Sequence, residues 1–188
     1  MPVAFYHGNG EHNQMMIDCI IRRKIEPKYG TPHKREIEEL SGLRSIDLPK
    51  TEPLKFEKIA FNYFFENKET LGISKLYQLK NSSADGLLEL VSGRTVLLEI
   101  KYVLNWSNSC RARIQFMRFL AEGLYVKFSV TKPEHGLIIF HDFRGNFAKK
   151  GWDYFYEEEN VLNKNMIKTD IVQLIDGCLV PYPVITDW

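Results

Sequence analysis

Between Ile73 and Val103 the chain alternates with a period of two, and this stretch most constrains the fold. "ISKLYQL" (residues 73–79), "GLLELV" (86–91) and "TVLLEIKYV" (95–103) are separated by turn chemistry at "KNSSAD" and "SGR". Such a pattern predicts a three-stranded antiparallel meander. Alternation sets Val96, Leu98 and Ile100 on one face of the third strand and Leu97, Glu99 and Lys101 on the other.

Helical periods flank the meander. Upstream, in "LKFEKIAFNYFFENKE", Phe56, Ile59, Ala60, Tyr63 and Phe64 recur at helical spacing, and Leu71-Gly72 closes the segment. Downstream, "NWSNSC" offers several N-caps before "RARIQFMRFLAEGLYV", which buries Ile114, Met117, Leu120, Ala121 and Leu124 and is closed by Pro133. "GLIIFHDF" (136–143) is a short apolar run suited to a buried strand, so the strand–helix–strand connection should be a parallel, right-handed crossover. The order helix, three antiparallel strands, helix, strand describes a layered α/β domain. Further helices are expected at "NQMMIDCIIRRKI", at "HKREIEEL" and around "WDYFYEEENVL", followed by a terminal "DIVQLID" and "CLVPYP" pair.

At 188 residues the chain is long enough for one core and too short for two, so a single domain is expected. Residues 1–52 read as a helical N-terminal extension, 53–143 as the core and 144–188 as a C-terminal extension. The first residues lack a basic start followed by an apolar run, and the longest aliphatic or aromatic runs, such as "LIIF", are too short to span a bilayer. No membrane is expected. Cys19, Cys110 and Cys178 lie far apart and form no C-x-x-C pair, which suits a reducing cytoplasm (the nucleus or host cytoplasm if the chain is viral) and argues against a disulfide framework or a cysteine zinc site. A net charge of +1 is not that of a uniformly basic nucleic-acid binder, so charge has to be read locally, as at Arg111, Arg113 and Arg118. Walker A, H-E-x-x-H, G-x-S-x-G and dinucleotide fingerprints are absent from the sequence.

Asp85 opens the second strand and Glu99-Ile100-Lys101 ends the third. A three-residue turn at Ser92, Gly93 and Arg94 pairs Val91 with Thr95, which carries Asp85 opposite Lys101 and diagonal to Glu99. A plain two-residue turn would send Asp85 to the wrong face unless a bulge corrected it. Two carboxylates converging beside an ammonium are not favoured by stability alone, because like charges repel and burial penalises both. A divalent cation with oxygen ligands, Mg²⁺ or Mn²⁺, resolves that conflict. Lys101 can then orient or deprotonate a water, or stabilise charge on a phosphate.

An Asp at the start of one strand, Glu-x-Lys at the end of the next and the αβββαβ order resemble the PD-(D/E)XK nuclease superfamily, although Ala84 stands where the family name has proline. "QFMRF" is similar to the Q-x-x-x-Y motif of its RecB-like and lambda-exonuclease-like branches, with Gln115 matching and Phe119 replacing Tyr. The resemblance implies a restriction-endonuclease-like core, a mixed sheet flanked by helices. It implies metal-dependent hydrolysis of phosphodiester bonds, of DNA ahead of RNA, and, since many relatives act as dimers, admits a homodimer. Lys101, Asp85, Glu99 and Gln115 would be the catalytic set, and Asp85, Glu99 and the Ile100 backbone carbonyl the metal ligands. A further acid on the helix before the sheet falls to Glu57, with Glu66 second and His33 in the place some branches give a histidine.

Arg111, Gln115, Arg118 and Glu122 share one helical stripe that could meet a phosphate backbone. Tyr102 and Trp106 are either base-stacking aromatics or core, and core is the commoner fate. His135 and His141 have no partners at metal spacing and read as structural. Two other possibilities stay open: a non-catalytic nucleic-acid-binding or assembly module on the same fold, and an interaction protein in which Asp85 and Glu99 do not converge.

Overall fold

The structure is a computed structural model that describes residues 36–46, 51–80, 82, 84–144 and 166–181. The helices expected at "NQMMIDCIIRRKI" and "WDYFYEEENVL", and His33, lie outside the described residues. The elements are β1 (Glu36–Glu39), α1 (Glu52–Glu66), β2 (Ile73–Lys80), β3 (Gly86–Leu90), β4 (Thr95–Leu104), α2 (Trp106–Ala121), α3 (Leu124–Lys127), β5 (His135–Phe143), β6 (Lys168–Ile175) and β7 (Cys178–Pro181). The described strands form one seven-stranded sheet in sequential order. Pairing is antiparallel from β1 to β4, parallel from β4 through β5 to β6, and antiparallel again between β6 and β7. The domain is α/β, with a mixed sheet flanked by helices. The meander and the parallel return to "GLIIFHDF" stand where the alternation placed them.

Every residue of β4 from Thr95 to Ile100 is buried. A strand buried on both faces has to be apolar on both, which is why "TVLLEI" reads as a near-continuous run with its one acid at the end. On one face α1 lays Phe56, Ala60, Phe61 and Phe64 over Leu76, Leu88, Leu98 and Ile139. On the other, α2 lays Trp106, Phe116 and Phe119 over Leu87, Leu97, Ile138 and Phe140. Phe116 and Phe119, rather than Met117 and Leu120, form the deep ridge of α2. The helix also stops short of Leu124, because Gly123 adopts φ 62° and restarts the chain as α3.

Two expectations fail on the described residues. "HKREIEEL" was expected as helix, yet Glu36–Glu39 is an edge strand paired with β2 from Glu36 opposite Lys80 to Glu39 opposite Tyr77. Sheet pairing outweighs the helix propensity of glutamate here: Glu38 binds Lys80 at 2.7 Å, and Ile37 and Leu40 pack on opposite cores. Arg113, grouped by sequence with an exposed basic cluster, is fully buried in α2 and donates to Ser109 Oγ at 2.6 Å. A helix face that packs on the sheet can bury an arginine's methylene stem when the charged head finds acceptors.

The α2 face of the sheet leaves no room over β5 at Gly136. A Cβ there would approach the ring of Phe116 to 2.4 Å, and that ring is fully buried. Gly136→Ala should therefore lower stability by roughly 1–3 kcal/mol, as overpacking does. Urea unfolding at an unchanged m-value measures the loss.

Candidate active site

The hairpin between β3 and β4 turns through three residues, Val91, Ser92 and Gly93. Leu90 N–H donates to Arg94 O and Gly93 N–H to Leu90 O, both at 2.8 Å, and Gly93 sits at φ 86°. An odd turn was expected, but one residue further on. Val91, 76% exposed, leaves the ladder, because the left-handed glycine closes the loop as its third residue rather than its second. The register then runs Glu89 opposite Thr95 to Gly86 opposite Leu98. Continued by one residue, it sets Asp85 across from Glu99 instead of Lys101. Parity is unchanged, so the charges still share one side.

Pairing between β3 and β4 ends at Gly86, while β4 runs on alongside β5 to Leu104. The gap that opens is filled by Asp85. Its amide donates to Leu98 O at 3.1 Å, its carbonyl accepts from Leu79 N–H at 2.9 Å, and its Oδ2 accepts from Ile100 N–H at 2.7 Å. The carboxylate thus continues the ladder past its last backbone rung. A strand residue directs its N–H and C=O toward the same neighbour, so the Ile100 carbonyl faces the same gap as its amide.

Glu99 and Lys101 flank that peptide. Lys101 Nζ lies 2.6 Å from Glu99 Oε1, with the Glu99 side chain 2% exposed and that of Lys101 21%. Glu99 Oε2 is buried without a hydrogen-bond partner among the described residues. Burial, and then the charge of Asp85, push the Glu99 carboxyl up to about 8, with Lys101 and, less strongly, the Asp85 backbone amide pulling the other way. Burial also raises Asp85, against the Ile100 amide and Lys101. Glu57 on α1 accepts from Gln78 Nε2 at 3.4 Å, and burial followed by the Asp85 charge raises it too. Asp85 is therefore electrostatically coupled to both Glu57 and Glu99, with Lys101 acting on Asp85 and Glu99 and with Lys58 and Arg44 acting on Glu57.

Other expected residues are less closely engaged. Gln115 is half-buried in mid-α2, and no hydrogen bond among the described residues joins it to Lys101 or to either carboxylate. Phe119, where the resembling motif has tyrosine, is core. Arg111 is exposed and Arg118 half-buried, on the helix that Asn105 starts by accepting from Asn108 N–H at 2.9 Å. Glu66, the exposed last residue of α1, stands nine positions beyond Glu57, on the order of 13 Å along the axis. Trp106 is buried in the core beneath α2. His141 stacks on Tyr102 with centroids 5.1 Å apart and planes 9° apart, and His135 Nδ1 lies 3.0 Å from Arg94 Nη2. Sequence reasoning missed Gln78, whose amide ties Glu57 to β2; its even position beside Leu76, on the α1 side, was the available signal.

No family model, no curated protein and no solved structure matches the chain. Among the described residues no three His, Cys, Asp or Glu side chains already form a metal-holding group, and no helix is long and apolar enough to cross a membrane.

The raised Glu99 has a consequence for stability. A carboxyl whose folded pKa lies above its unfolded value stabilises the fold at low pH, and that contribution is lost as pH rises through the folded value. Metal-free protein should lose stability between about pH 4.5 and about pH 8 on this account. Glu99→Gln should flatten the loss and leave the variant more stable at pH 8, by on the order of 2–4 kcal/mol. Chemical denaturation in EDTA across that pH range tests the sign.

Proposed function

We propose that the chain is a divalent-metal-dependent nuclease that hydrolyses phosphodiester bonds of nucleic acid, DNA ahead of RNA, on a restriction-endonuclease-like core. The observation that carries the proposal is the buried Oε2 of Glu99, without a hydrogen-bond partner among the described residues and in the field of the Asp85 carboxylate that replaces the β3–β4 ladder. A buried carboxylate oxygen without a donor is costly, and a second carboxylate beside it adds to the cost. A cation between them relieves both, and the donor set is all oxygen, which suits Mg²⁺ or Mn²⁺. Asp85, Glu99 and the Ile100 carbonyl would hold the ion, with Glu57 in reach of the same field. Bound there, it would supply Lewis-acid polarisation of a phosphoryl oxygen and acidify a bound water.

The protein's own groups do the rest. The Ile100 amide fixes the Asp85 carboxylate in one orientation, as a positioned catalytic group requires. Lys101 is partly exposed, so its ammonium reaches solvent while Glu99 anchors it, and it can orient an attacking water or stabilise charge developing on the phosphate. In-line attack by water would leave a 5′-phosphate, as in the family that the motif resembles. Arg111 on the exposed side of α2, with Arg118 and Gln115 farther along, offers positions for backbone contacts.

Labelled single-stranded, duplex and branched DNA, and RNA, incubated with Mg²⁺, Mn²⁺ or EDTA, provide the test. Cleavage should require metal. Lys101→Ala and Asp85→Asn should each reduce it on the order of 10²–10⁴-fold, and Glu57→Gln by less. Wild-type protein that leaves every substrate intact, or a Lys101→Ala variant as fast as wild type, would overturn the proposal.

A further inference from the structure

On the α1 side of the sheet, one residue from Glu57 along α1 and one from Lys101 along β4, lies a cavity of about 270 Å³. Phe56 precedes Glu57 and Tyr102 follows Lys101, so the two elements that carry site residues also wall this cavity. Its floor is aromatic. Tyr102 and His141 lie parallel at 5.1 Å, and Phe56 closes against them at 6.0 and 5.4 Å with its plane tilted by 60° and 51°. Tyr102 and His141 are half-buried, whereas Phe56 is core, so the stacked pair is the accessible part. Ile59 and Leu174 supply the apolar walls. The volume is at the lower end of ligand pockets and suits one planar ring system.

The rim is polar and of mixed sign. Glu52 opens α1, and Asp176, at φ 48° beside Gly177 at φ 74°, forms the Asp-Gly turn between β6 and β7. Lys55 is the one cation among the described lining residues. Two carboxylates against one ammonium disfavour a phosphate inside, but they accept hydrogen bonds from an amino group on a planar ring.

We propose that this cavity takes an unpaired nucleobase bearing an exocyclic amino group, presented by a single strand of nucleic acid, with the base continuing the Tyr102–His141 stack and its amino group facing Asp176 and Glu52. Stacking on aromatic side chains is how unpaired bases are held without reading a duplex, and acidic side chains accept from the cytosine amino group. The inference rests on the nuclease proposal only in expecting a strand at the neighbouring carboxylates.

Equilibrium binding of fluorescein-labelled short oligo-dC, oligo-dT and duplex, measured by anisotropy in EDTA, tests it without any cleavage. Oligo-dC should bind more tightly than the duplex and, by roughly five-fold or more, more tightly than oligo-dT. Tyr102→Leu should weaken oligo-dC binding about ten-fold while Tyr102→Phe retains it. Asp176→Asn and Glu52→Gln, both exposed and tolerable for folding, should narrow the preference for dC over dT. Equal affinity for the duplex, an unchanged Tyr102→Leu, no binding, or a free cytidine monophosphate bound as tightly as the strand would each overturn the proposal. Binding that follows this pattern in a protein that cleaves nothing would leave the pocket standing and remove the nuclease proposal; metal-dependent cleavage with Tyr102→Leu unaltered would do the reverse.

Discussion

The site depends on one hydrogen bond, from the Ile100 amide to the Asp85 carboxylate. Antiparallel strands normally end by separating into loops, where freed backbone groups meet water. Here β3 stops at Gly86 while β4 continues beside β5, so the outer edge of β4 would present an amide with no ladder partner in a part-buried place. An unsatisfied amide costs about 1–3 kcal/mol, and a side-chain acceptor in the next position removes that cost. Asp85 is that acceptor. Gly86 belongs to the same device: a Cβ there would stand 2.8 Å from Tyr77 O and 3.0 Å from the ring of Phe61. The close approach of β2, β3 and α1 that glycine permits is what brings Glu57 within the field of Asp85.

From that bond the electrostatics follow. Fixing Asp85 over the strand end places its charge near Glu99, and burial by the two helical layers keeps water from screening the pair. Lys101 answers part of the resulting repulsion through Glu99 Oε1 and the Asp85 amide bears weakly on the same carboxyl, while Oε2 has no hydrogen-bond partner among the described residues. A protein selected for stability alone would replace such a group with an apolar one, since well-packed hydrophobic residues commonly match or exceed a buried ionic cluster. A strained, buried acidic cluster at a strand end is the kind of environment that functional sites create.

Legibility in the sequence tracked how local the deciding physics was. The strands β2 to β5 and the helices α1 and α2 were readable because period-two and helical patterns each belong to a single segment that one core face demands. Asp85, Glu99 and Lys101 could be brought together by the parity of one turn, and parity survived even though the turn itself lay one residue earlier. What failed depended on distant partners. Glu36–Glu39 is strand because β2 offers it an edge, and nothing within "REIEEL" announces that edge. Arg113 looks like its surface neighbours Arg111 and Arg118 until the depth of α2 is known. The tie from Gln78 to Glu57 joins residues 21 apart, beyond any single-segment pattern.

The same alternation that builds the acidic gap also separates two chemistries on adjacent residues. Glu99 and Lys101 point to the α2 side of β4, and Tyr102, between Lys101 and Val103, points to the α1 side, where His141 from the parallel strand β5 meets it. Parallel pairing is what makes this possible: β4 and β5 run in the same direction, so their ends reach the same rim of the sheet and both faces of that rim are furnished at once. α1 spans the rim on one side, contributing Glu57 to the field of Asp85 and Phe56 to the ring stack, with consecutive positions 100° apart serving the two neighbours. Charge is concentrated where the ladder opens, and aromatic surface where the strands remain paired. A strand of the proposed substrate lying across that rim would meet carboxylates and Lys101 on one face and the Tyr102–His141 ring pair on the other, a separation set by the pleat of one strand.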